Sequence, residues 1–86
     1  MSRLYNHLVP NKTEFGIRLE KLMMKRKVSQ SDLARIIGYS KPAMHHWLYG
    51  VCEMRLSVFA KIVDALQLSA TEIASLLEVF WEDDDG

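Results

Sequence analysis

Few side chains in this sequence could do covalent or metal chemistry. His7, His45, His46 and Cys52 are the soft ligands, and the paired carboxylates lie only in the C-terminal run Glu82 to Asp85. Their spacing argues against catalysis. Neighbours on a helix diverge by about 100°, so His45 and His46 cannot both point at one tetrahedral ion. Carboxylates in an acidic tail lack the enclosure that acid–base catalysis needs. No enzyme activity, cofactor or metal is therefore expected. What remains is recognition chemistry in the stretch around Lys41, Pro42, His45 and His46. Lys41 sits at a helix tip, beside backbone N–H groups that suit an anion.

The elements that must position this stretch run from Ser29 to Gly50, SQSDLARIIGYSKPAMHHWLYG. Ser29 and Asp32 form a capping-box-like start, and Leu33, Ala34 and Ile37 follow at helical spacing. Gly38 supplies the left-handed residue that ends the first helix, and Ser40 is the next N-cap candidate. Met44, Trp47 and Leu48 give the second helix one apolar stripe, and Gly50 closes it. Ala34 is small enough for the two helices to cross closely. At 100° per residue Pro42, His45, His46 and Tyr49 lie on or near the side opposite that stripe. Lysine before Pro42 avoids helical geometry, so the second helix is expected to start one residue late, re-aiming Lys41.

The order Gln30, Leu33-Ala34, Gly38, Ser40, Met44, Trp47, Gly50 resembles the lambda-repressor-like, or XRE/Cro-type, helix-turn-helix DNA-binding domains. The likeness continues through Leu56, Phe59, Ile62-Val63, Ala65-Leu66, Leu68-Ser69 and Ile73. It implies an all-α, compact five-helix fold that reads bases of double-stranded DNA from the second helix of the motif. The residues nearest the base edges would then be Lys41, Pro42, His45 and His46. Lysine donates to guanine O6 and N7, histidine donates or accepts, and proline offers apolar contact to a thymine methyl. Phosphate contacts are expected from Gln30, Ser40, Tyr49 and Arg55. The family's usual two-fold interface falls on Leu76, Leu77, Val79, Phe80 and Trp81, implying a homodimer; alternatively Trp81 covers the N-terminal arm. Two departures weaken the expected affinity. The loop after Gly50, Val51-Cys52-Glu53-Met54-Arg55, has one base where the family is usually basic, and Leu48 and Tyr49 replace residues that are commonly acidic and polar.

The formal net charge of zero hides an asymmetry. Ten bases oppose four acids up to Arg55, and one opposes seven after it, so a +6 half carries the motif and a −6 half follows. Such a dipolar chain can turn one face to phosphate and the other away. Solvation alone is a sufficient reading of Arg18, Glu20 and Lys61. Eighty-six residues at 49% hydrophobic content suit one small domain. No run of about eighteen apolar residues or signal-peptide pattern occurs, and the single cysteine excludes an intrachain disulfide, so a cytoplasmic location and no membrane are expected.

The organisation reads as an arm over 1–12, a domain over 13–81 with its motif at 29–50, and an acidic tail over 82–86. Thr13 should cap a first helix running to about Arg26, with Phe15, Leu19, Leu22 and Met23 inward and Ile17 and Met24 on the other face. The arm, with Leu4, Tyr5, Leu8 and Val9, either folds over Ile17 and Met24 or carries Arg3 and Lys12 toward DNA. Lys25, Arg26 and Lys27 either complement the helix dipole or bind phosphate. A helix from about Arg55 to Leu66 should bury Leu56, Phe59, Ile62, Val63 and Leu66. Ser69 and Glu72 then cap a last helix bearing Ile73, Leu76, Leu77 and Phe80, with Val79 off its stripe. Trp47 is expected to anchor the motif to the core. The functional expectation is a transcriptional regulator, a repressor acting by promoter occupancy. Its rival is a protein-interaction module on the same fold, an antitoxin or antirepressor.

Overall fold

In the computed structural model, which describes residues 12–80, the chain enters its first helix at Thr13. The Thr13 hydroxyl accepts from the Gly16 N–H at 3.0 Å, satisfying a donor left free at a helix start. Helix α1 (Glu14–Lys25) follows and ends at Arg26. Lys27 then takes φ 58°, a left-handed conformation that turns the chain into α2 (Gln30–Ile37). Ser29 and Asp32 form the reciprocal capping box there, and Gly38 ends the helix at φ 84°. Next come α3 (Lys41–Leu48), α4 (Leu56–Leu66) and α5 (Ala70–Glu78). Among the described residues these five helices occur with no strand, an all-α fold.

One buried cluster joins all five. It comprises Phe15, Leu19 and Met23 from α1, Leu33, Ala34 and Ile37 from α2, and Met44 and Leu48 from α3. Val58, Phe59, Ile62 and Leu66 come from α4, and Leu76 and Val79 from the end of the domain. Seven of the larger side chains are fully enclosed, each worth about 1.5–3 kcal/mol of transfer free energy. Ala34 is buried in the cluster, and α2 and α3 pack against one another. Gly16 permits close approach of α1 and α3: a Cβ there would overlap the Leu48 carbonyl oxygen and lie 2.8 Å from its carbon.

Several expectations need correcting. Leu56 is 57% exposed and Val58 takes its place inside. Val58 lies about 40° from Ile62 around the helix and Leu56 about 120°. Val79, expected off the stripe, is buried because the helix ends at Glu78 and the chain turns back on the core. Trp47 is only half-buried, packed edge-on against Tyr39 at 5.2 Å between ring centroids. Ile17 and Met24 fall on the face of α1 away from the core, as their spacing predicts, and are exposed there. The arm proposed to cover them, including Arg3, and the tail with Trp81 lie outside the described residues.

Arg18 is no merely solvated charge. Its guanidinium reaches the Ser75 carbonyl at 2.7 Å and Glu78 at 2.8 Å, tying α1 to α5. Arg26 similarly holds Glu72 at 2.8 Å and the Gln67 carbonyl at 3.2 Å, and Lys25 reaches the same Glu72. Two bases of the Lys25-Arg26-Lys27 run are thus engaged within the fold, a third use beside the dipole and phosphate roles expected of them. Glu72 also accepts the Ser69 backbone N–H, and that bond, aided by Arg26, holds its carboxyl down at about 2.

Candidate nucleic-acid interface

The outer face of α3 is set by how its ends are fixed. At the start, Ser40 Oγ accepts from the Ala43 N–H at 3.2 Å, and Pro42 occupies the first turn, where its missing donor is no loss. The helix begins at Lys41 despite the following proline, so the one-residue delay does not occur. At the other end Tyr49 caps the helix, its N–H donating to the His45 carbonyl at 3.0 Å, and Gly50 turns the chain at φ 73°. The Thr13 N–H donates to the Leu48 carbonyl at 3.1 Å, which ties the start of α1 to the end of α3.

With Met44 and Leu48 fully buried, Lys41, Pro42, His45 and His46 are all exposed on the outward side. The His45 and His46 rings diverge, 6.4 Å apart at 64°, as adjacent helix positions must. Among the described residues no three His, Cys, Asp or Glu side chains converge on a possible metal position. A groove of about 500 Å³ runs beside this face, between α1, the start of α2 and α3. Gln30, Lys41, His45 and Tyr49 line it together with Glu20 and Met24.

Of the phosphate-contact candidates, Gln30 and Tyr49 therefore sit beside the base-contact candidates. Ser40 is exposed, with its oxygen already accepting at the helix cap. Arg55 is exposed at the start of α4 and makes no side-chain cap there. Tyr49 is half-buried and stacks on His45, 4.2 Å between centroids and 25° between planes, a meeting that i,i+4 spacing allows. One pairing at the groove's edge escaped the sequence reading, which took Glu20 as merely solvated and Lys12 as part of the arm. Lys12 Nζ lies 2.6 Å from Glu20 and 5.6 Å from the Tyr49 ring centroid. The bond to Glu20 raises the Lys12 pKa. No periodicity links the residue before a helix cap to one two turns inside the helix, so nothing in the sequence flagged this pair.

The C-terminal candidates separate sharply. Leu76 and Val79 are buried in the domain's own core, which removes them from any surface a second chain could touch. Phe80 is half-buried in a ring cluster, its centroid 5.3 Å from Phe15 and 5.1 Å from Phe59. Only Leu77 is exposed, and Trp81 lies outside the described residues.

Among the described residues no helix is long and apolar enough to cross a membrane. Neither the curated proteins nor the solved structures compared with this chain gave a match. A family model, the Cro/C1-type helix-turn-helix DNA-binding domain, matches residues 18–78, which take in the last two-thirds of α1 and every later helix. The chain belongs to the Cro/C1-type helix-turn-helix DNA-binding domains, a family of DNA-binding regulators.

Proposed function

We propose that the protein is a transcriptional repressor that occupies promoter DNA as a homodimer. The observation that supports this reading most is the polarity of α3: two side chains fully buried beneath it, and Lys41, Pro42, His45 and His46 exposed above. In the proposed complex those four residues meet base edges in the major groove, while Gln30, Ser40, Tyr49 and Arg55 contact the flanking backbone. Repression then needs no chemistry, only a complex stable enough to exclude polymerase. Two modules are needed because one reads too few base pairs for the specificity a genome demands. A two-fold pair would set its recognition helices about 34 Å apart, one DNA turn.

Selection from a random duplex pool at low salt, followed by footprinting, tests this reading. The expected product is a site with dyad symmetry and a shallow salt dependence, since few phosphates are neutralised. His46→Ala should relax base preference at one position of each half-site, and Arg55→Ala should weaken all sequences alike. Leu77→Glu, at the one exposed member of the described interface set, should leave the fold intact and convert cooperative binding into weak independent binding. If no duplex is retained, the protein-binding alternative takes over. Exposed Glu53 in a loop whose only base is Arg55 favours that alternative.

A further inference from the structure

His45 is exposed on the outward face of α3, yet its ring has a backing. Tyr49, one turn on, stacks on it with 4.2 Å between centroids and 25° between planes. Tyr49 is itself held. Lys12 Nζ lies 5.6 Å from the centroid of the phenol ring, within reach of a cation–π attraction. Glu20 in turn holds that ammonium at 2.6 Å, and the pair is well covered, with side-chain exposures of 27% and 29%. Four side chains, Glu20, Lys12, Tyr49 and His45, thus run in series from α1 to the outer face of α3. The backbone brings them together: the Thr13 N–H on the Leu48 carbonyl sets the residue before Thr13 beside the residue after Leu48. His46 is held differently. Its carbonyl accepts from the Val51 N–H at 2.9 Å, and its ring meets that of His45 obliquely, 6.4 Å apart at 64°.

We propose that Glu20, Lys12 and Tyr49 are positioning residues that fix the His45 ring for base recognition, making His45 the sharper of the two histidine readers. This role rests on the DNA-binding reading. A side chain that must settle into one rotamer on meeting DNA loses its freedom at that moment, whereas one already fixed has lost it on folding. A fixed ring also cannot swing to follow a wrong base edge, so a mismatch leaves a polar group unpaired. Glu20 then has two effects of opposite sign. It lines the groove beside Gln30 and Lys41, where its charge opposes a phosphate backbone and weakens binding to every sequence. Its hold on Lys12 meanwhile raises discrimination at a single base pair. Affinity and discrimination are separable measurements, so the two effects can be told apart.

The test compares dissociation constants for a selected duplex and its single-base variants, measured by fluorescence anisotropy at fixed salt and pH. His45→Ala and His46→Ala locate the base pair each residue reads, and the wild type should discriminate by about tenfold or more at the first. Glu20→Ala should bind every duplex more tightly and yet lose most of the discrimination at the His45 base pair, with that at the His46 base pair unchanged. Tyr49→Phe should keep the discrimination because it keeps the stack, while losing affinity for all sequences alike; Tyr49→Ala should lose the discrimination. Glu20 is no member of the buried cluster, so its variant folds whether or not Tyr49→Ala does. In the free protein, the His45 ring protons should resonate upfield under Tyr49 and move downfield in Glu20→Ala. Tighter binding by Glu20→Ala with discrimination intact, or unmoved ring protons, overturns the positioning chain. Equal relaxation at both histidine base pairs shows a general loosening of α3 and overturns it too. Wild-type base preference in His45→Ala removes His45 as a reader, and the proposal with it, while the DNA-binding reading stands. Failure to retain any duplex overturns both.

Discussion

Helices α3 and α5 both lean on α1, and they do so by opposite means. Against α3, contact is made by backbone and by the absence of a side chain, through Gly16 beneath Leu48 and the Thr13 N–H on the Leu48 carbonyl. Against α5, it is made largely by long charged side chains, Arg18 on Ser75 and Glu78, and Arg26 and Lys25 on Glu72. The first kind of joint is short, stiff and indifferent to salt, whereas the second is adjustable and screened by ions. The difference teaches where precision is required. On the proposed reading α3 must be aimed closely at a duplex, while the chain after α5 only has to bring Phe80 onto Phe15 and Phe59.

The sharpest way to break this contrast is at Gly16. Gly16→Val forces side-chain atoms into the Leu48 backbone, which cannot move without moving α3, and should cost about 3 kcal/mol or more in a urea melt. A variant as stable as wild type would show that the α1–α3 joint is compliant. Trp47→Ala should come next. Because Trp47 is half-buried, about 2 kcal/mol is expected, less than for a fully enclosed aromatic. The tryptophan should therefore prove a support of the motif rather than its sole anchor.

Acid probes the other joint. Glu72 holds its proton only near about 2, against 4.5 for the free carboxyl. Its contribution is therefore fully present above pH 4.5 and lost as pH falls through about 2. Melting temperature should fall across that range, and less steeply in Glu72→Gln. Asp32, also lowered by its bond to the Ser29 N–H, adds a slope of the same sign that Glu72→Gln leaves untouched. One molar salt should loosen α5 first, seen as faster amide exchange there than in α3. The smallest effect is at Lys27, which pays for its left-handed turn; Lys27→Gly should stabilise by about 0.5–1 kcal/mol.

The motif was legible because its signals are local. Ser29 with Asp32, Gly38, Ser40 and the Met44–Leu48 pair each act within one helical turn, and the capping box, left-handed glycine and buried stripe are all present. The identity of the exposed α3 face followed from the same periodicity. Illegible were the contacts made across the fold. Gly16 in a helix interior reads as a mild penalty until Leu48 is seen above it. Arg18 reads as solvated until Ser75, 57 residues away, is in place. Past the end of α5 periodicity itself fails, which explains Val79, whereas Leu56 simply lies off the stripe that Val58 and Ile62 define. Among the interface residues, burial of Leu76 could have been anticipated, since a small domain has no core residues to spare for a partner.

The bond from Thr13 to Leu48 makes the beginning of the domain and the end of α3 a single mechanical unit. The packing of Gly50 under the Thr13 methyl, where a Cβ would come within 2.6 Å, tightens it. Tension applied along the polypeptide ahead of Lys12 would therefore be delivered to α3 directly, without passing through the core.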